Sequence, residues 1–220
     1  MTAVAEPPSR RPVGLYALID HAVHGTEAMA SACRAAEVAG ATWIQLRCKE
    51  IDDRTFYDCV ERCVDALSAS ESLLWINDRV DLAALFPVRG VHLGQGDLPP
   101  TEARELLPKE VWIGRSCHDL DQVHDAANDP AVDVLAIGPI FETRSKRDPE
   151  PCVGLDGLRS ARQATDKPLV AIGGITADRY LEIRRRGADL VAMIGALGRG
   201  SALETNCRSL VALEAELDAS

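Results

Sequence analysis

Short apolar runs recur along the chain, and each is followed by a polar or glycine-rich turn and then by a stretch with helical spacing. The runs have the length and the β-branched content of buried strands rather than of helices. There are eight of them: Gly14–Ile19, Trp43–Leu46, Leu73–Ile76, Gly90–Leu93, Val111–Gly114, Val132–Ile137, Leu169–Ile172 and Leu190–Ile194. We therefore predict eight buried β-strands that alternate with helices.

The stretches between these runs carry the spacing of amphipathic helices. In one of them, Phe56, Val60 and Cys63 fall on a single stripe, which would face the strands. Gly40 and Gly187 stand where helix C-caps belong, because glycine readily takes the left-handed conformation that ends many helices. The clearest predicted helices are Thr26–Ala39, Arg54–Leu67, Ala177–Arg186 and Leu203–Leu217.

Strict alternation of strands and helices implies a parallel sheet, and the number of units decides its shape. Eight units in 220 residues correspond to roughly 27 residues per unit, close to a minimal strand plus helix with short loops. We predict an α/β protein with a single (β/α)8 TIM barrel over residues 13–220, preceded by a disordered tail over residues 1–12. An open doubly wound sheet is the alternative, although no dinucleotide-binding glycine fingerprint follows the first strand.

The acidic composition narrows the partners that the chain can have. The formal net charge is −10, whereas a nucleic-acid-binding surface usually needs a broad basic face. No apolar run approaches the ~18–20 residues that cross a bilayer, so we expect neither nucleic acid nor a membrane as a partner. An anionic ligand would have to be held by a few local cations, a metal ion or helix N-termini.

Seven cysteines are scattered along the chain without a Cys-x-x-Cys pair. Their odd number and their spacing argue against a disulfide framework or a zinc ribbon. Cys59 and Cys63 lie one helical turn apart, and we interpret them as small buried apolar side chains rather than as metal ligands. This cysteine usage favours a reducing, cytoplasmic location.

Polar residues and glycines collect where seven consecutive predicted strands end. Since active sites of such barrels lie at the carboxyl ends of the strands, we expect these residues to share one mouth. From the second strand to the eighth they are Gln45, Arg47 and Lys49; Asn77 and Asp78; Gln95 and Asp97; Ser116 and His118; Thr143, Ser145 and Lys146; Gly173 and Gly174; and Ile194 and Gly195.

The second strand and its two neighbours indicate a site for a metal-bound anion. Alternation points Gln45, Arg47 and Lys49 to the same side, toward the barrel lumen. A buried arginine is costly without an anion, so Arg47 indicates an anionic ligand. Asp78 and Asp97 are candidate Mg²⁺ ligands, because Mg²⁺ favours one or two carboxylates with phosphate oxygens and water. Helix capping by Asp78 and turn shaping by Asp97 are the structural alternatives.

A second anion site is predicted at the last two strands. Gly174 and Gly195 let backbone N–H groups approach a phosphate at the place where barrels commonly bind one. The segment 143–148, which includes Lys146, suits a loop that closes over phosphate. Together the residues indicate a cavity for a magnesium-bound diphosphate and a monophosphate. Catalysis would then rest on positioning and on stabilisation of the departing diphosphate.

The histidines give weaker indications. His21 and His24 have a spacing that could ligate a metal, but no third ligand is evident, so a loop role is favoured. His92 lies within a predicted strand and is interpreted as a core residue. His118 is either a helix-start residue or part of the site wall.

Six stretches of the chain resemble those of the thiamine-phosphate synthase family, in the family's order and over nearly the whole domain. Any one of them is weak, whereas the ordered set is specific. They are Gln45-Leu46-Arg47-Cys48-Lys49, Asn77-Asp78-Arg79-Val80-Asp81, Val91-His92-Leu93-Gly94-Gln95-Gly96-Asp97, Gly114-Arg115-Ser116, Gly138-Pro139-Ile140 and Ile172-Gly173-Gly174-Ile175.

The resemblance implies a transferase that condenses 4-amino-2-methyl-5-hydroxymethylpyrimidine diphosphate with 4-methyl-5-hydroxyethylthiazole phosphate. The products would be thiamine phosphate and diphosphate, formed through a pyrimidine carbocation. It implies Mg²⁺ bound by Asp78 and Asp97, and Arg47, Lys49, Ser116 and Lys146 as catalytic residues. The remaining implied roles are binding of the pyrimidine and its diphosphate by Gln45, Arg47, Lys49, Asn77 and Lys146, contact with the leaving group or the pyrimidine by Ser116, and binding of the thiazole phosphate by Thr143, Ser145, Gly174, Ile194 and Gly195.

Some residues depart from the family's usual pattern. Cys48 stands where an acidic residue is usual, Glu142 where a proline is common, and Gly195 where a serine is frequent. Two alternatives stay open. A related thiazole tautomerase shares the loops but is expected to carry a histidine at the position of Pro139. A non-catalytic barrel that binds thiamine precursors would not need the aspartate pair; a homo-oligomer is compatible with each of these functions.

Overall fold

Eight parallel β-strands close into a barrel in the computed structural model, which describes residues 11–67, 74–143 and 150–218. Each strand pairs with the next along the chain, and the first pairs with the last through Gly14 and Leu190. The predicted (β/α)8 TIM barrel is therefore confirmed. The strands are β1 (Gly14–Asp20), β2 (Trp43–Arg47), β3 (Leu74–Asn77), β4 (Gly90–Leu93), β5 (Trp112–Cys117), β6 (Val134–Ile137), β7 (Leu169–Ile172) and β8 (Leu190–Met193).

Helices alternate with the strands and pack against the outside of the barrel. Two of the predicted helices begin with a separate 3-10 turn, at Thr26–Ala28 and at Ala177–Arg179. The helices are α1 (His21–His24), α2 (Met29–Val38), α3 (Asp53–Ala66), α4 (Val80–Leu85), α5 (Pro100–Leu106), α6 (Leu120–Asn128), α7 (Gly154–Ala164), α8 (Tyr180–Arg185) and α9 (Ser201–Asp218).

The ends of the helices follow from particular residues. The Asp52 carboxylate accepts a hydrogen bond from the Thr55 backbone N–H (2.9 Å) and so caps α3. Gly40 and Gly187 have φ angles of 89° and 105°. These left-handed conformations lie just beyond α2 and α8, where the sequence predicts them.

Strand β5 is longer than predicted at its carboxyl end, which is the end that faces the site. It continues to Cys117, beyond the predicted end at Gly114. Ser116 therefore lies inside a strand, and the sheet fixes the direction of its side chain. The apolar pattern stops early because Arg115 and Ser116 are polar residues in a strand whose end borders a cavity.

The strands carry two apolar layers, one against the helices and one inside the lumen. The lumen layer includes Tyr16 and the three tryptophans of the chain, Trp43, Trp75 and Trp112. The rings of Trp43 and Trp75 lie 4.6 Å apart between centroids. Because the tryptophans stand near the amino ends of their strands, they fill the lower lumen and leave the upper end for a cavity.

Two further features concern the ends of the barrel and its surface. Arg11 Nη1 lies 3.4 Å from Asp189 Oδ1, and this ion pair joins the start of β1 to the residue before β8.

Residues 1–10 of the predicted tail lie outside the described residues. Within residues 11–67, 74–143 and 150–218, no helix has both the length and the apolarity to cross a membrane.

Candidate active site

A cavity of about 570 Å³ opens at the carboxyl ends of the strands. Its size falls within the range of roughly 300–1,000 Å³ that is usual for small-molecule sites. Ser145 and Lys146 lie outside the described residues. Gln95, which the sequence also places at this mouth, is not among the residues that line the cavity. The described residues with a predicted substrate or metal role all line it: Gln45, Arg47, Lys49, Asn77, Asp78, Asp97, Ser116, Thr143, Gly174, Ile194 and Gly195.

Strand β2 directs polar side chains into the cavity wall, and each has a protein partner. Gln45 is buried and donates from Nε2 to the Tyr16 hydroxyl at 2.7 Å. Arg47 forms an ion pair with the carboxylate of Asp20, its neighbour in the pairing of β1 with β2. Asp20 therefore supplies a negative charge to the buried Arg47, so burial alone does not indicate an anionic ligand; a substrate role of Arg47 stays a prediction.

Lys49, Asp78 and Asp97 form a charged cluster at one side of the cavity. Lys49 Nζ lies 2.8 Å from Asp78 Oδ2. Asp97 shares a side-chain hydrogen bond with Asp78 and accepts a hydrogen bond from the Gly94 N–H at 2.7 Å. Burial, and next the hydrogen bond with Asp78, raise the pKa of the Asp97 carboxyl group. A cation bound beside Asp97 would favour its ionised form.

The backbone holds Asp78 toward this cluster. Its φ angle is 66°, a left-handed conformation that is uncommon for a residue with a side chain. Its N–H donates to the His92 carbonyl oxygen at 2.9 Å, which ties the end of β3 to β4. Arg79, not Asp78, occupies the N-cap of α4. The capping alternative is thus wrong for Asp78, whereas Asp97 does shape its turn through Gly94.

The aspartate pair fits a magnesium ion by its donor atoms and by its charge. Mg²⁺ prefers oxygen ligands and commonly takes one or two carboxylates with phosphate oxygens and water. The described part of the chain contains no group of three or more His, Cys, Asp or Glu side chains arranged to hold a metal. Asp78 and Asp97 could therefore supply two ligands, and a phosphorylated substrate and water would have to supply the others.

His92 is buried within β4, in agreement with its interpretation as a core residue, and it also lines the cavity. Its Nε2 is 2.9 Å from Ser116 Oγ, and it lines the cavity beside Ser116. Its register partner on β5 is Gly114. A Cβ atom at that position would lie 2.5 Å from His92 Nδ1, so the absence of a side chain makes room for the imidazole. Gln95 donates from Nε2 to the Ser116 carbonyl oxygen at 2.5 Å.

Glycines shape the opposite side of the cavity, after β7 and β8. Gly174 has a φ angle of 65°, and a Cβ atom there would lie 2.4 Å from the Glu142 carbonyl oxygen. Gly195 begins a 3-10 turn over Gly195–Leu197, and a Cβ atom there would meet open space. The Arg179 guanidinium stacks over the Phe141 ring at 4.0 Å, which fixes the segment leading to Thr143.

The other histidines separate into two groups. His118 lines the cavity, and its Nδ1 lies 2.6 Å from the Gly138 carbonyl oxygen, which supports its assignment to the site wall. His21 and His24 are the first and last residues of α1. The prediction that they lie in a loop is therefore wrong. Burial, and next the positive charge of Arg199, lower the pKa of His24.

Tyr16 and His92 also line the cavity, although neither was predicted as a site residue. Both have a signal in the period-two pattern of a strand. Tyr16 alternates with Leu18, and His92 alternates with Gly90, so each lies on the lumen side of its strand. The apolar runs concealed them, because a strand buried on both faces shows little contrast between its two sides.

Comparison with known proteins shows the family of this chain. A model described as thiamine monophosphate synthase matches residues 15–197, a span from β1 to the 3-10 turn after β8. The chain belongs to the thiamine monophosphate synthase family. The predicted resemblance and the prediction of a transferase in thiamine biosynthesis are thereby confirmed.

Individual relatives of this family cover nearly the whole chain. A thiamine-phosphate synthase of Albidiferax ferrireducens is 42% identical over 93% of this chain and 92% of its own length. One of Koribacter versatilis is also 42% identical, over 83% and 88%. A solved thiamine phosphate pyrophosphorylase from Pyrococcus furiosus superposes with a TM-score of 0.84 at 29% identity, covering 94% of this chain and 98% of that one.

Proposed function

We propose that the cavity condenses hydroxymethylpyrimidine diphosphate with hydroxyethylthiazole phosphate, releasing diphosphate and forming thiamine phosphate. The observation that carries this proposal is that two different sets of groups, each suited to an anion, line one cavity. Charged side chains from β2, β3 and the loop after β4 line one side, and glycines after β7 and β8 line the other. Two phosphorylated substrates can therefore be held with their reacting atoms between the two sites.

The diphosphate of the pyrimidine substrate is assigned to the side of the charged cluster. Asp78 and Asp97 would hold Mg²⁺, which when bound would neutralise part of the diphosphate charge. Lys49 is paired with Asp78. When substrate binds, the Lys49 ammonium group would turn from Asp78 to a phosphate oxygen. Arg47 and Asn77 line the same side, and we assign Lys146 to this side from the family pattern.

The chemical step is a transfer of the pyrimidine methylene group. Its C–O bond to diphosphate breaks with both electrons leaving on oxygen, which gives a pyrimidine carbocation. The thiazole nitrogen lone pair then forms the new C–N bond. These two steps need neither an activated nucleophile nor a strong base on the protein. The protein contributes charge stabilisation of the leaving group and orientation of the two rings.

The remaining contacts orient the two rings. Gln45 is fixed by the Tyr16 hydroxyl and presents its amide to the pyrimidine edge. Ser116, fixed by His92, would contact the pyrimidine or its departing diphosphate. The thiazole phosphate is assigned to the other side, where Thr143, Ser145, Gly174, Ile194 and Gly195 would supply hydroxyl and backbone donors.

A coupling assay tests this function. Purified protein is incubated with both phosphorylated precursors, with Mg²⁺ or with a chelator, and thiamine phosphate and diphosphate are quantified by chromatography. We expect equimolar products only with Mg²⁺. Asp78→Asn should abolish coupling. Asp81→Asn is the matched control, because Asp81 pairs with Arg79 and does not line the cavity.

The same assay separates the alternatives. Thiazole isomerisation without coupling would identify a tautomerase, although Pro139 lines the cavity at the position where that enzyme is expected to carry a histidine. Binding of both precursors without turnover would identify a non-catalytic barrel. Either result would overturn the proposed function.

We also propose a cytoplasmic location. The seven cysteines are free thiols in the structure, a usage that suits a reducing compartment. Fractionation of cells that produce the full chain tests the proposal. Recovery of the protein with a cytoplasmic marker supports it, and recovery outside the cytoplasm contradicts it.

A further inference from the structure

Five sulfur-containing side chains meet behind β2, outside the cavity just described. Four of the seven cysteines and one of the three methionines of the chain take part. They come from three elements: α2, α3 and the residue after β2. We call them the sulfur cluster: Met29, Cys33, Cys48, Cys59 and Cys63.

Three members of the sulfur cluster meet at the thioether of Met29. Cys48 Sγ and Cys59 Sγ each lie 3.6 Å from Met29 Sδ, and the two thiols are hydrogen-bonded to each other. A metal bound by three sulfur atoms at about 2.3 Å in a plane would hold them about 4 Å apart. The Cys48–Met29 and Cys59–Met29 sulfur distances would each have to lengthen by only a few tenths of an ångström.

The ligand types and their burial select the kind of metal. Thiolates and a thioether are soft ligands, which favour Cu(I), whereas Mg²⁺ needs oxygen ligands. Met29 and Cys59 are buried, which excludes water from the metal. Cys48 is partly exposed and could receive the ion from outside. Arg62 Nη2 lies 3.8 Å from Cys59 Sγ, so its positive charge would offset the thiolates.

We propose that Met29, Cys48 and Cys59 form a binding site for one thiophilic, monovalent metal ion of the Cu(I) class. Binding would replace the thiol protons of Cys48 and Cys59, which pass to solvent, and would change no oxidation state. Cys33 and Cys63 form a separate hydrogen-bonded pair beside the site. The proposal does not depend on the coupling reaction.

Competition for Cu(I) tests the site in the full chain. Anaerobic protein is titrated against a chromophoric Cu(I) chelator of known affinity. We expect the wild type to remove one equivalent. Cys48→Ser and Cys59→Ser should each weaken binding by at least about 100-fold, and Met29→Leu by about 10-fold. Cys152→Ser is the control, because Cys152 is an exposed thiol outside the sulfur cluster.

Two further measurements keep the outcomes distinct. X-ray absorption of the loaded wild type should show three sulfur neighbours at about 2.3 Å, and it needs no variant. Met29→Leu keeps the core volume, so it is the variant that least affects folding, which circular dichroism checks. The proposal is overturned if the wild type removes no Cu(I), or if Cys33→Ser and Cys63→Ser abolish binding while Cys48→Ser and Cys59→Ser do not.

Discussion

The Asp97 carboxyl group is stabilised in its protonated form by burial and by its hydrogen bond with Asp78, and its pKa is raised. A group whose pKa is higher in the folded than in the unfolded state contributes stability at low pH. That contribution is lost as the pH rises through the folded-state pKa. The ionised form of Asp97 therefore lowers the free energy of unfolding relative to the protonated form, which is a cost typical of functional carboxylates.

Asp97→Asn should consequently be more stable and less active than the wild type. We expect a melting temperature higher by roughly 1–3 °C at pH 7, a gain that disappears below about pH 4, and coupling lower by at least about 100-fold. Thermal unfolding at several pH values and the coupling assay measure both effects. In contrast, Arg79 lowers the pKa of Asp81, so Asp81→Asn should gain no stability at pH 7 and keep its activity. An active or destabilised Asp97→Asn would contradict the metal assignment.

Gly114→Ala tests whether the position of His92 matters. The added Cβ atom would lie 2.5 Å from His92 Nδ1 and would move the imidazole away from Ser116. We expect a loss of about 1–3 kcal/mol in unfolding free energy and at least about a tenfold lower kcat. Gly96→Ala is the control, since a Cβ there meets open space. An unchanged kcat in Gly114→Ala would show that the His92–Ser116 contact does not contribute to catalysis.

The sequence predicts which residues line the charged side of the cavity better than it predicts their hydrogen-bond and ion-pair partners. Alternation on β2 correctly places Gln45 and Arg47 on the cavity side. The partner of Arg47 could not be predicted, because Asp20 reaches it only through the register of β1 against β2. His92 was missed for the same reason, since Gly114 makes room for it from the neighbouring strand.

At the scale of elements, the loop after β7 tests the second anion site. Gly174→Ala would set a Cβ atom 2.4 Å from the Glu142 carbonyl oxygen and so displace the backbone that is assigned to the thiazole phosphate. We expect KM for the thiazole phosphate to rise at least about tenfold, with a smaller change for the pyrimidine diphosphate. Steady-state kinetics with each substrate varied in turn measures both constants.

Gly154→Ala provides the matched control for that prediction. Its φ angle of 66° equals that of Gly174 within a degree, but a Cβ atom there has no heavy atom within 4 Å. The two variants thus share the backbone strain and differ in the collision. If both raise KM equally, the strain alone is responsible and the loop after β7 does not hold the thiazole phosphate.

The number, order and type of the strands followed from the sequence, whereas their ends did not. Apolar periodicity identifies a buried strand, but β5 extends through two polar residues, Arg115 and Ser116, that periodicity assigns to a loop. Thr26–Ala28 likewise forms a 3-10 turn that helical spacing cannot distinguish from the start of α2. The errors at the end of β5 and at the start of α2 both arise because tertiary contacts, rather than the local sequence pattern, set these boundaries.

At the scale of the whole molecule, an acidic chain of net charge −10 must bind anions through a local arrangement. Asp78 and Asp97 lie in that arrangement, so diphosphate alone and Mg²⁺ alone should each bind weakly. Together they should bind cooperatively, because each offsets the charge that opposes the other. We expect both ligands combined to raise the melting temperature by more than the sum of their separate effects. Additive shifts would contradict a shared site.

The positions of a bound metal ion and of diphosphate in the barrel would show whether Asp78 and Asp97 form the proposed site. Crystals soaked with diphosphate and Mn²⁺, an anomalous scatterer that replaces Mg²⁺, locate both groups in one experiment. We predict an anomalous peak ligated by carboxylate oxygens of Asp78 and Asp97 and by diphosphate oxygens, with Lys49 on the diphosphate. A peak away from this pair, or diphosphate bound outside the mouth of the barrel, would contradict it.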